Sequence, residues 1–154
     1  MPHPLLPQYL AGADQLAPAI SGLSVAELDA LPVKGTWSIR QIVLHLLDSD
    51  LIASDRMKRI IAEENPTIIG FDESAFARNL FYDQLDAELA CDLFAKNRRL
   101  THEILRRLPE SAFARAGTHN ERGRIMLADL VETYTGHLEH HLGFIREKRK
   151  LLGK

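Results

Sequence analysis

A single cysteine, Cys91, leaves the chain without an internal disulfide, so stability has to come from burial and a reducing, cytoplasmic setting is expected. Long hydrophobic runs are missing too. No apolar stretch approaches the ~20 residues of a membrane-spanning helix, and Met1-Pro2-His3-Pro4 lacks the charged start and apolar stretch of a secretory leader. Nor is either sign of charge in excess: a formal net charge of -2 is too weak for a generic nucleic-acid footprint. The one basic run, Arg146, Lys148, Arg149 and Lys150, reads as a solvated helix end complementing the macrodipole. Neither nucleic acid nor a membrane is therefore an expected partner. Internal repeats, low-complexity segments and convincing strands are also absent.

What remains is an ordinary globular composition, 45% hydrophobic and 26% charged over 154 residues, which suits one domain spanning 1–154. Apolar residues from Leu5 to Ala17 recur in a three-four rhythm, so Pro4 to Ile20 reads as a first helix that Pro18 ends or bends. Ser24-Val-Ala-Glu27 is a capping box opening a short helix, closed by Leu31-Pro32. Ser38-Ile-Arg-Gln41 is another, opening a long periodic stretch from Ile39 to Glu64 that Asn65-Pro66 stops. Residues 65–84 read as a long connection with a short turn around Glu73 to Leu80. A further helix is expected from Asp86 to Leu108, with Leu89, Leu93, Leu100, Ile104 and Leu108 as its stripe. Residues 110–124 look like a loop, and Ile125 to Leu152 should form the last helix. The expected fold class is all-α, a four-helix bundle whose long connections permit a crossover and whose core can carry a ligand or metal site.

Seven histidines are the unusual component. In the last helix the inward stripe reads Leu127, Leu130, Tyr134, His137, His141, Phe144, so two histidines stand where apolar side chains belong. Positions four apart differ by ~40° in azimuth and ~6 Å in height, which lets both imidazoles approach one ion. His45 lies on a stripe of Ser38, Gln41, Ile42, Asp48, Ser49, Ile52 and Arg56, a face too polar for a plain core. With His137 and His141 it makes a three-nitrogen set that leaves coordination positions open, the pattern of a catalytic site. His3, His102, His119 and His140 share no stripe with these three and are not expected to be ligands.

These segments resemble the DinB/YfiT-like superfamily of bacterial metal-binding four-helix bundles. The resemblance is carried by Gly35-Thr-Trp-Ser-Ile-Arg-Gln-Ile-Val-Leu-His45-Leu-Leu-Asp-Ser49, Arg56, Glu63-Glu-Asn-Pro66, Phe71-Asp-Glu73 and Gly136-His-Leu-Glu-His-His141. It implies that His45, His137 and His141 are the ligands, that the bundle runs up-down-down-up, and that the protein is a homodimer. The chain departs from the YfiT-like pattern at Leu44, Asp50 and Gly136, where a His, a further His and an aromatic respectively are often found.

Three functions follow as expectations, all on a small-molecule substrate. The first is a thiol S-transferase, in which a divalent transition metal, zinc or nickel foremost, activates a low-molecular-weight thiol cofactor. An ion-held thiol is deprotonated outright, and the residues between the His pair, Leu138, Glu139 and His140, offer no obvious Glu directly beside a ligand to act as base. The alternative is a metal-dependent hydrolase with Asp48, one turn from His45, as the catalytic acid-base group. The last is a non-catalytic metal- or ligand-binding bundle. Arg56, ~16 Å along the helix from His45 on nearly the same azimuth, is the candidate substrate-binding residue, as a fork for a carboxylate. Its competing reading is an ion pair with Asp72, Glu73 or another helix.

Overall fold

The computed structural model describes residues 3–154, so Met1 and Pro2 of the segment read for a leader lie outside it. The longest stretch of periodic sequence forms α4, Ile39–Ala62, and its start is fixed as the capping box requires. The Ser38 hydroxyl accepts from the Gln41 amide at 3.2 Å and the Gln41 side chain accepts from the Ser38 amide at 2.9 Å, so two otherwise orphaned N–H groups are satisfied. The helix ends at Ala62, and Asn65, at φ 42°, turns the chain ahead of Pro66. The Ser24 box likewise opens α3, Val25–Asp29.

The first expected helix is broken into α1, Leu6–Ala11, a 3-10 turn at Gly12–Asp14, and α2, Leu16–Ala19. The break lies where Gly12 closes on Arg98 and Leu138 of two later helices: a Cβ there would sit 2.2 Å from the Arg98 guanidinium and 2.8 Å from Leu138. Helix α6 spans Ala87–Leu105, with the Asp86 carboxylate capping the Glu88 and Leu89 amides. Its orientation corrects the sequence reading. Leu89, Leu93 and Leu100 are exposed, and the buried face is Ala87, Ala90, Cys91, Phe94, Arg98, Thr101 and Leu105. Small residues and one arginine outcompete the leucines because Arg98 is tied inward: it bonds Asp50 at 2.9 Å and the Tyr134 carbonyl at 2.7 Å, and lies over the rings of Tyr9 and Phe94.

Helix α7 spans Leu127–Leu151. With α1, α2, α4 and α6 it encloses two apolar clusters, one around Ile39, Val43, Phe94 and Leu142, the other around Tyr9, Met57, Leu105 and Leu130. The Asp50–Arg98 pair lies between them along the helices. The connections are more ordered than expected, and the absence of strands is overturned. β1, Thr67–Ile68, pairs in parallel with β2, Ala116–His119, which pairs antiparallel with β3, Gly123–Met126. Gly117 lets the backbones close, since a Cβ there would meet the Pro66 carbonyl at 2.8 Å. The segment after β1 folds into α5, Glu73–Asn79, capped by Asp72. Among the described residues no helix is long and apolar enough to cross a membrane.

Candidate metal centre

His45 is the seventh residue of α4, and its ring is fully buried against Trp37, whose centroid is 4.9 Å away. His137 and His141, one turn apart on α7, face it, and the ligand atoms of all three imidazoles lie within 4.8 Å of one another. The Nε2 atoms of His45 and His137 are 3.1 Å apart, close to the ~3.3 Å between two nitrogens bound at about 2.0–2.1 Å to one tetrahedral ion. His141 Nδ1 lies 3.0 Å from the His137 carbonyl, which can only accept. Its proton is therefore on Nδ1, and Nε2 keeps its lone pair for a ligand.

Burial and neighbouring histidines disfavour the imidazolium forms, drawing His45 down to about 4 and His137 to about 3. His141 is lowered as well, chiefly by burial. At neutral pH the three rings are neutral donors, as a divalent ion requires. Of the other histidines, His3 stacks on Phe113 and His140 packs edge-on to Phe144. His119, at the end of β2, is buried, with Nδ1 accepting from the Glu121 and Arg122 amides that close the β2–β3 turn. None of these joins the cluster of three.

Sequence reasoning placed Asp48 beside the triad, and the structure gives its carboxylate to the Tyr82 hydroxyl instead. The acid that does approach is Glu73, the first residue of α5, with Oε2 3.7 Å from His45 Nε2. Glu73 lies 28 positions after His45, beyond the end of α4 and across a non-helical connection, so helical phase could not find it; its only sequence mark was its place in the Phe71-Asp-Glu73 segment. Arg56 also differs from its structural reading. It makes no ion pair among the described residues; one Nη donates to the Tyr134 hydroxyl at 2.8 Å and the other to the Ile69 carbonyl at 2.7 Å.

Two cavities flank the triad, and Glu73 borders both. One, about 430 Å³, is walled on the His141 side by Val33, Trp37, Ile42 and Phe144. The other, about 210 Å³, opens on the His137 side among Ser49, Arg56, His119, Arg122 and Tyr134. The arrangement thus sets an ion-binding nest between an apolar and a polar chamber, with one carboxylate at the junction.

The DinB superfamily model matches residues 8–145. A protein of Oceanobacillus iheyensis, provisionally named a metal-dependent hydrolase, is 34% identical over 130 residues, covering 83% of this chain and 75% of that protein. One of Bacillus licheniformis with the same provisional name is 31% identical over 139 residues, covering 90% and 79% respectively. Among solved structures, YfiT from Bacillus subtilis, described as a probable metal-dependent hydrolase with an unusual four-helix bundle topology, superposes with a TM-score of 0.91 at 26% identity, covering 97% of this chain and 86% of that one. With the match running from α1 to Ile145 in α7, the chain belongs to the DinB superfamily.

Proposed function

We propose that this protein is a metal-dependent hydrolase of a small molecule, in which His45, His137 and His141 hold one divalent transition ion and Glu73 is the general base. The observation that carries the reading is the Glu73 carboxylate, 3.7 Å from His45 Nε2 at the junction of the two cavities. The provisional names of the relatives support it. When bound, the ion supplies Lewis acidity, lowering the pKa of coordinated water to about 7. Glu73 accepts the proton of the attacking water at its carboxylate and returns it to the leaving group as the bond to that group breaks. Its exposed position on the short helix α5 leaves the carboxylate free to make both transfers. Trp37 and Phe144 exclude water from one side of the substrate.

The test is turnover of an ester and amide panel by protein carrying stoichiometric metal. Glu73→Gln should lower kcat by about 10²–10⁴-fold with metal content unchanged. Full activity in that variant would remove Glu73 from the reaction.

A second reading, thiol S-transfer, is favoured by the paired cavities, which suit two reactants meeting at one ion. It predicts conversion of electrophiles only when a low-molecular-weight thiol is added. We also read the bundle as up-down-down-up. Supporting this, Arg40 meets Leu85 and Asn97 meets Asp50, so α4 and α6 advance together, whereas His45 faces His141 while the later Arg56 faces the earlier Tyr134.

A further inference from the structure

The smaller cavity contains more positive charge than the fold consumes. Arg56 is half-buried, with two N–H groups spent on neutral oxygens and, among the described residues, none on a carboxylate and no partner for its Nε. Arg122, an exposed residue of the β2–β3 turn, makes no side-chain hydrogen bond or ion pair among the described residues and lines the same cavity. Two acids border the same space, yet neither neutralises a guanidinium. Glu73 turns toward His45, and the Glu121 carboxylate lies over Gly70. Leaving an arginine half out of water without a counter-charge is costly unless a ligand supplies one.

The hydrogen-bonding capacity agrees with the charge. The Tyr134 hydroxyl accepts from Arg56, so its own proton is directed to no acceptor among the described residues. Ser49, fully buried on the same wall, has a hydroxyl with no partner among the described residues. The wall is also stiff: Tyr134 stands one turn before His137 on α7, and Asn120, next to His119, accepts from the Gly70 amide and ties the β2–β3 turn to the chain after β1. A planar oxyanion, a single net negative charge with two acceptor atoms, matches a guanidinium fork and a phenol donor.

We infer that this cavity is a carboxylate-binding subsite, in which Arg56, Arg122 and the Tyr134 hydroxyl hold an acidic group of the ligand while its remainder passes the triad into the apolar chamber. The substrate class is then a small acid with an apolar end. The inference rests on the proposed reaction only for the word substrate; a carboxylate belonging to a thiol cofactor would satisfy the same groups.

Binding is measured by calorimetry, without turnover, so failure of hydrolysis and failure of the subsite are separate results. Metal-loaded protein is titrated with hippurate and with its neutral amide, and with phenylacetate and phenylacetamide. The acids should bind at least about tenfold tighter than the amides. Arg56→Gln and Arg122→Gln should each remove most of that preference while leaving metal content unchanged. Repeating the titration after metal removal keeps the preference if the arginines hold the acid. Mercaptosuccinate against succinate separates the sources: tighter binding of the thiol acid assigns the subsite to a cofactor, and equal binding assigns it to a substrate. The inference is overturned if acids and amides bind alike, if both glutamine variants retain the preference, or if the preference vanishes with the metal.

Discussion

At His45 and His137 the fold opposes protonation, and the direction of the resulting pH dependence follows. Both titrate near 6.5 in the unfolded chain and are held down to about 4 and about 3 when folded. As pH falls through 6.5 the unfolded chain takes up protons that the folded chain refuses. Their contribution to stability is therefore complete above pH 6.5 and is lost progressively between there and about 3. Urea midpoints of the metal-free protein should fall across that window, and a His45→Gln/His137→Gln variant should give a flatter profile. Substituting any one of the three ligands by Ala should sharply reduce bound metal measured by elemental analysis, while His102→Ala and His140→Ala should not; undiminished stoichiometry in all three ligand variants would refute the assignment. A different residue governs folding. Arg98 and Asp50 are buried as an ion pair, so Arg98→Met, which strands the carboxylate, should cost about 3–5 kcal/mol in denaturant melts. The triad was legible because helical period places His137, His141 and His45 inward. Glu73, Arg122 and the inward turn of Arg98 were not, because each depends on a neighbour far away in the chain.

Elements differ in how much of their own definition they carry. α4 carries nearly all of it, in a reciprocal cap and an apolar period, and Ser38→Ala should cost about 1 kcal/mol and loosen the turn that leads to His45. α6 is the contrary case. Its length and Asp86 cap were readable, but its two faces were exchanged, because a leucine stripe is only a hydrophobic signal and takes no account of a competing arginine with a buried partner. The short strands escaped notice because two to four residues are too few to show alternation. Their geometry is nonetheless exacting. Gly117→Ala would drive a methyl into the Pro66 carbonyl, separating β1 from β2; the expected result is loss of amide protection in both strands by hydrogen exchange, with α4 and α7 unaffected.

On the scale of the whole molecule, the leucines turned outward on α6 form an apolar stripe with Glu88 and Asp92 toward its start and Lys96, Arg99 and Arg106 toward its end. Two copies packed across that stripe would share a leucine seam, its flanking charges being already paired within each chain, Lys96 to Asp92, Arg99 to Asp14 and Arg106 to Glu103. The expected outcome is a sedimentation mass twice the 17.3 kDa chain, reduced to one chain by Leu93→Glu with no loss of helicity. A monomeric wild type would show that the stripe has no such partner. The placement of the three ligands has a further consequence, in time. His45 waits 92 residues for His137, and His141 comes later still. A chain made from its N-terminus onward holds at most one of the three imidazoles until most of it exists. A nascent, stalled or truncated copy ending before α7 would draw no ion at this site from the cell's supply, and metal would be reserved for chains already long enough to close the bundle around it.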